Sequence, residues 1–264
     1  MIPTIIGLDH AVIAVRDLDR AAAEWAALGF RLSPRGTHSP HMGSGNYTIM
    51  FGEDYLELLG VLTEQPHNQG LRDFLAGREG LERCAFTTTD AAAGVAVLQA
   101  RGIAATGPVE FGRPVTMPDG SEAEARFSVM HWPPAEAPGG LRIFACQHHT
   151  RGAVWVPELK RQPNGVARIV RALIATPDPA AAAAQMARLT DGEVRVDGAF
   201  HLVATGAGRA EFGFAPRADI ARLADLDPGL LPEEGGAALV LGTRLPRPPA
   251  LATGCALIFQ ETTP

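Results

Sequence analysis

A carboxylate at position 57 is flanked by leucines in the run Tyr55-Leu56-Glu57-Leu58-Leu59. Burying it unpaired is expensive, so a metal ion or an arginine must meet it unless the strand turns it to water. Arg83 offers a planar guanidinium that can hold a carboxylate, phosphate or enolate through two parallel hydrogen bonds. His41 and Asn46 border Gly43 and Gly45, where backbone can approach a ligand closely, although loop-shaping hydrogen bonds are the plainer role for both. Tyr55 is a proton donor to a bound molecule or a core residue with its hydroxyl at the rim. His148 and His149 are the polar end of a strand or the source of an imidazole ligand, and His10 poses the same choice.

These positions gain meaning from the elements that carry them. Residues 8–17 read as a β-strand ending in an N-cap, and an apolar-periodic helix follows through Trp25 and Leu28 to Gly29-Phe30. About 73 positions later, residues 81–90 fall on the same pattern without a gap, and Gly102-Ile103 falls on Gly29-Phe30. A third copy runs from Ile169 to Asp178 and into an alanine-rich helix around Met186 and Leu189. Asp17, Asp90 and Asp178 are therefore equivalent, each able to accept hydrogen bonds from unpaired N–H groups in the first helical turn. Short β-like segments separated by Gly, Pro, Asn or Asp follow each helix and complete a βαβββ unit. Residues 237–241 and 255–259 are the remnant of a fourth. The expected fold class is α+β, with repeated βαβββ modules forming mixed half-barrel sheets. Pro, Gly and charge accumulate over 158–165, which divides the chain into a two-module domain, 1–157, and a second domain, 158–264, holding the third module and the degenerate fourth.

Composition narrows the function classes. With 264 residues the chain can bury a sizeable core without disulfides or structural metal. The net charge is −6 and no Lys/Arg cluster is dense enough for nucleic acid, so neither DNA nor RNA is expected as a partner. Cys84, Cys146 and Cys255 are odd in number and set among apolar residues, which suits free thiols in a reducing compartment. No basic n-region and no membrane-length apolar run is present, so no membrane partner is expected and cytoplasmic localisation is the default. Abundant Ala and Arg with almost no Lys suit a GC-rich bacterial genome. A Gly-rich phosphate loop, a Cys-x-x-Cys pair and a Gly-x-Ser-x-Gly elbow are all missing, which disfavours nucleotide-dependent and serine-hydrolase chemistry.

The ordered set Leu8-Asp9-His10, His41-Met42-Gly43-Ser44-Gly45-Asn46, Tyr55-Leu56-Glu57-Leu58 and Phe144-Ala145-Cys146-Gln147-His148-His149 resembles the glyoxalase-like branch of the vicinal-oxygen-chelate superfamily, over roughly residues 5–175. That superfamily joins the glyoxalase, bleomycin-resistance and extradiol-dioxygenase proteins. The resemblance implies a cupped sheet whose concave face holds a divalent metal on His and Glu from the first and fourth strands, and His10 and Glu57 match those positions. Such an ion (Zn, Mn, Fe or Ni) chelates two neighbouring substrate oxygens and stabilises an enediolate, oxyanion or superoxide.

Departures from the pattern matter. The repeat partner of His10 is Arg83, and that of Glu57 falls near Phe144, so two of four ligand positions carry non-ligands. His148, on the face of Phe144 and Cys146 if alternation continues, is the expected third ligand, with His41 as another source. Trp155 resembles a family feature after the histidine pair and either closes one side of the pocket or packs the seam between halves. The family histidine that follows is replaced by Gln162 in Gln162-Pro163-Asn164-Gly165. In the third module Glu211 repeats Glu57, but Arg171 stands where His10 does, which makes the C-terminal half scaffold.

The leading expectation is a metal-dependent enzyme of isomerase, lyase or dioxygenase type acting on a small oxygenated metabolite. His10, Glu57 and His148 hold the metal, Glu57 and Tyr55 act in catalysis, and Arg83, His41, Asn46 and Trp155 bind substrate. The alternative is a metal-free small-molecule binding or resistance protein with the same cup. A third reading is a homodimer that builds its site between subunits.

Overall fold

The computed structural model describes residues 1–117 and 119–262. The first half of the chain runs β1 (Ile5–Val15), α1 (Leu18–Ala27), β2 (Gly36–Thr37), β3 (Ser44–Met50) and β4 (Tyr55–Val61), then α2 (Gln69–Gly77), β5 (Gly80–Thr88), α3 (Ala91–Ala100), β6 (Thr106–Thr116), β7 (Glu122–His131) and β8 (Arg142–His148). Its eight strands form one mixed sheet in the order β2-β3-β4-β1-β5-β8-β7-β6. Two βαβββ units thus meet at the antiparallel pair β1–β5, and each keeps its own parallel pair, β1–β4 and β5–β8.

After α4 (Pro157–Lys160) the plan repeats with β9 (Val166–Ala175), α5 (Pro179–Thr190), β10 (Val194–Asp197), β11 (Phe200–Ala204), β12 (Glu211–Ala215), α6 (Arg217–Ala224), β13 (Gly235–Thr243), β14 (Ala250–Ala252) and β15 (Cys255–Glu261). The second sheet has the order β10-β11-β12-β9-β13-β15-β14. Its last unit lacks the helix, because only residues 244–249 join β13 to β14. Asp17, Asp90 and Asp178 each cap a helix, accepting from the N–H groups of Arg20, Ala93 and Ala181 at 2.9 to 3.0 Å. No helix among the described residues is long and apolar enough to cross a membrane.

Period-two alternation sends Ala11 and Ile13 of β1, and Leu56 and Leu58 of β4, into a core shared by both sheets and the helices α1, α3 and α5. There Phe86 meets Phe212 with ring centroids 5.6 Å apart. The other face of each sheet is a cup. In the second sheet α6 fills it, burying Ile220, Ala221 and Ala224 against Leu173 and against Ala175, Ala237, Ala238 and Ala256, four small side chains that let the helix sit deep. In the first sheet α2 covers only part, packing Leu71 and Leu75 on Val12, Ala14 and Leu59, and the rest stays open. Neither helix was anticipated, since each lies in a connection between repeats.

A β-bulge recurs at one place in all four units. Register shifts single out Asp9 on β1, Glu82 on β5, Val170 on β9 and Ala237 on β13 as the extra residues. The bulge breaks alternation, so Leu8 faces the inter-sheet core while His10, two positions on, faces the cup. In the second sheet the bulge residue is apolar; in the first it is acidic and buried.

The two halves are joined at the floor of the first cup. Arg209, from the turn before β12, donates to the carbonyls of Leu8 at 2.7 Å and Glu53 at 2.8 Å. Gly7 makes room for it, since a Cβ there would lie 2.2 Å from Arg209 Cγ. Asp54 accepts from the Ile169 N–H at 3.1 Å, and the Trp25 indole donates to Thr253 at 2.9 Å.

Candidate active site

The open part of the first cup is a cavity of about 240 Å³ lined by His10, Tyr55, Glu57, Arg83, His41 and Asn46 among others. Strand register explains the convergence. The parallel pair sets His10 opposite Tyr55 and Val12 opposite Glu57, so the His10 ring stacks on Tyr55 with centroids 4.4 Å apart. His10 Nε2 reaches to 3.6 Å from Glu57 Oε2, an ion-pair rather than a hydrogen-bond distance. Asn46 Nδ2 donates to Glu57 Oε1 at 2.6 Å, and His38 Nε2 stands 3.9 Å from the same oxygen. Asn46 and Gly45 lie in β3, paired with Leu59 and Gly60, and not in the loop expected for them. His41 is exposed at the rim, its Nδ1 3.1 Å from Ser39 Oγ. Burial pushes the His38 imidazole below its ordinary value against the pull of Glu57. It also holds the Tyr55 phenol well above its own, with the charges of Asp9 and Glu57 adding to the effect, so Tyr55 stays protonated.

Behind His10 sits Asp9, fully buried and absent from the expected site. Its Oδ2 lies 3.3 Å from His10 Nδ1 and 2.9 Å from His148 Nε2, and Thr87 Oγ1 donates to its Oδ1 at 3.0 Å. Burial raises the Asp9 carboxyl, but His148 and His10 outweigh it and hold it well below the usual carboxylate range. Asp9 holds the His10 ring by its Nδ1 edge and leaves Nε2 on the side of Glu57 and the cavity. The available signal was the repeat itself: an acid precedes the cup-facing residue in both Asp9-His10 and Glu82-Arg83.

Two expected residues stand elsewhere. His148 does not line the cavity; its side chain is 3 % exposed, turned to Asp9, and held edge-on against Phe127 and Trp155 at 5.1 and 4.9 Å. Trp155 lies one layer behind the cavity wall, edge-on to Tyr55 at 5.4 Å and covered by the Arg151 guanidinium at 3.5 Å. Gln162, in place of the family histidine, is a buried pin: its Nε2 donates to the carbonyls of Met50 at 2.9 Å and Leu159 at 3.0 Å, and its Oε1 accepts from the Arg31 N–H at 2.7 Å.

Residues 8–190 match the family model described as a glyoxalase-like domain. The chain belongs to that family. Its fold is that of the vicinal-oxygen-chelate superfamily, two mixed sheets of repeated βαβββ units. A hypothetical protein from Staphylococcus aureus is similar in structure over 97 % of this chain and 99 % of its own, at 12 % identity and a TM-score of 0.76, which shows a shared two-sheet fold. Methylmalonyl-CoA epimerase from Mycobacterium tuberculosis is 22 % identical over 58 % of this chain and 96 % of its own, with a TM-score of 0.44. The Streptomyces coelicolor epimerase is likewise 22 % identical, over 55 % of this chain and 96 % of its own, with a TM-score of 0.42. No curated protein sequence matches the chain.

In this glyoxalase-like chain the metal expectation meets a poor fit. No group of three His, Cys, Asp or Glu that could hold an ion exists among the described residues. The expected set of His10, Glu57 and His148 is corrected by geometry, because Asp9 takes the His148 Nε2 that would face the ion. His10 and His38 approach different oxygens of Glu57 and do not enclose a common point with it. At the position related to His10 by the repeat stands Arg83, a cation, and at that related to Glu57 stands Phe144, whose ring meets His10 over the small Ala85 with centroids 5.5 Å apart. Burial lowers the Arg83 guanidinium from 12.5 to about 10, against the pull of Glu57, so it remains charged at neutral pH.

Proposed function

We propose that this chain is an enzyme that moves a proton at a carbon next to a carbonyl in a small oxygenated metabolite, with Glu57 as the base. The observation that carries this reading is the setting of Glu57. Asn46 fixes one oxygen, and the other is left at 3.6 Å from His10 in the wall of a half-open cavity. A general base must be held by its neighbours yet reachable by substrate, and Glu57 is 12 % exposed. His10, oriented by Asp9, is the partner that can take up or return the proton at Nε2. Tyr55 is a neutral donor beside it, His41 borders the entrance, and Trp155 supports Tyr55 from behind. Arg83, across Val12 from Glu57, supplies a positive charge that binds and orients an anionic substrate.

His10 and Glu57 are the residues that would hold a divalent ion if one binds, and such an ion would polarise the carbonyl oxygen. They supply two ligands. The second reading is a metal-free binding protein of the resistance kind, favoured by Arg83 and Phe144 at the positions of a second ligand pair. Glu57→Gln separates the readings: an enzyme loses turnover and keeps its ligand, whereas a binding protein has no turnover to lose. Turnover that survives exhaustive chelation supports the metal-independent form, and turnover restored only by added Zn, Mn, Fe or Ni supports the other.

A further inference from the structure

Glu82, the bulge residue of β5, is buried with its side chain 1 % exposed and meets two arginines at once. One of its oxygens receives the Arg83 Nε and the other the Arg142 Nη2. The two arginines are cross-strand neighbours, since Arg83 pairs with Arg142 in the parallel β5–β8 ladder, and both line the cavity. A single carboxylate therefore holds two guanidiniums side by side and leaves the group with one net positive charge. Among the described residues, the Nη groups of Arg83 and the Nε and Nη1 of Arg142 have no hydrogen-bond partner. Gly70 admits the second guanidinium, because a Cβ there would lie 3.1 Å from Arg142 Nη1. His131 also faces the cavity from this side.

The bulge of β1 makes the same arrangement with different partners. There the buried acid, Asp9, joins His10 to His148, two imidazoles. On β5 the acid joins two groups that stay charged. The carboxylates at the two bulges are equivalent in the repeat, so one end of the cavity is equipped for proton transfer and the other for holding negative charge. Register fixes their separation. Glu57, Val12, Arg83 and Arg142 lie in one row across four adjacent strands. At about 4.8 Å per strand, the Cα atoms of Glu57 and Arg83 are roughly 10 Å apart, with Arg142 one strand farther.

We infer that Arg83 and Arg142, clamped by Glu82, form a subsite for an oxyanion group carried by the substrate, a carboxylate or a phosphate set a few bonds from the carbon that reacts at Glu57. The inference rests on the proposed reading for the reacting end, but the subsite stands on its own contacts. Unused donors on two adjacent, fixed guanidiniums match the oxygens of either anion. Val12 forms an apolar floor between the two ends.

The test is a calorimetric titration of the full chain with malonate, with inorganic phosphate, and with malonamide as the neutral control. Three proteins are compared: the parent, Arg142→Gln, which can still donate to Glu82, and Glu57→Gln. Thermal unfolding establishes that each variant is folded, and Arg142→Lys is the second variant should Arg142→Gln fail that check. Saturable binding of at least one anion but not of malonamide is expected, weakened about tenfold or more in the Arg142 variant and kept in Glu57→Gln. Which anion binds more tightly identifies the carboxylate or the phosphate form. No binding to the parent at millimolar anion, or equal binding to the parent and the Arg142 variant, overturns the inference. Loss of turnover in Glu57→Gln is read separately, so the subsite and the assignment of the base fail independently.

Discussion

Asp54 offers the sharpest thermodynamic handle on how the two halves are joined. It lies in the turn before β4, 4 % exposed, and accepts the Ile169 N–H of the second sheet at 3.1 Å. Burial raises its carboxyl from the ordinary 3.8 to about 7, opposed by the Ile169 N–H and by Arg209 and Arg168, and assisted by the charge of Asp9. A carboxyl that holds its proton more tightly when folded contributes stability that is complete below pH 3.8 and is lost as pH rises toward about 7. At about 1.4 kcal/mol for each tenfold in acidity, the whole effect is on the order of 4 kcal/mol, and the part between pH 5 and pH 8 is about 2 to 3 kcal/mol. Asp54→Asn keeps an oxygen for the Ile169 N–H and removes the titration. Urea unfolding at a series of pH values from 4 to 9 reads the difference between the two proteins. The parent is expected to lose about 2 to 3 kcal/mol more than the variant between pH 5 and pH 8, with the divergence ending near pH 7. Parallel stability profiles would refute the placement of a protonated carboxyl in the seam.

Two further expectations follow from contacts already described. Arg209→Ala removes donors to the Leu8 and Glu53 carbonyls, which border the strands carrying His10 and Glu57, and should cost about 2 to 4 kcal/mol in denaturant unfolding; unchanged stability would contradict the clamp. Burial raises all three thiols, Cys255 to about 12 and Cys84 and Cys146 also well above their ordinary value. The native protein should therefore resist an aromatic disulfide reagent at pH 8 and release three thiols only on unfolding, and stoichiometric labelling of the native state would count against these burials.

The architecture was legible because its signal is local. A strand, an aspartate cap, an apolar-periodic helix and a glycine recur at fixed spacing, and each cap makes the bond its position implies. Of the cavity-lining residues, His10 and Glu57 were singled out by the resemblance to the glyoxalase-like family and Arg83 by its place in the repeat. What escaped depends on pairing rather than on sequence. The bulge at Asp9 exists because β1 and β5 lose one step of register there, and no periodicity in a single strand announces that. His148 follows the expected alternation, yet Asp9 and the rings of Phe127 and Trp155 hold it below the cavity floor. The helix α6, hidden in a connection between repeats, closes the second cup: its alanine-lined hollow is filled by the chain itself.

The assignment of Glu57 is tested most directly by following solvent deuterium into the position next to the carbonyl of small 2-oxo and 3-oxo acids and their phosphorylated relatives, using proton NMR. The parent chain should catalyse exchange into at least one of them, and Glu57→Gln should exchange it at least about a hundredfold more slowly while remaining folded. Exchange by Glu57→Gln at the parent rate, or no exchange by the parent across the series, would contradict the assignment of Glu57 as the base.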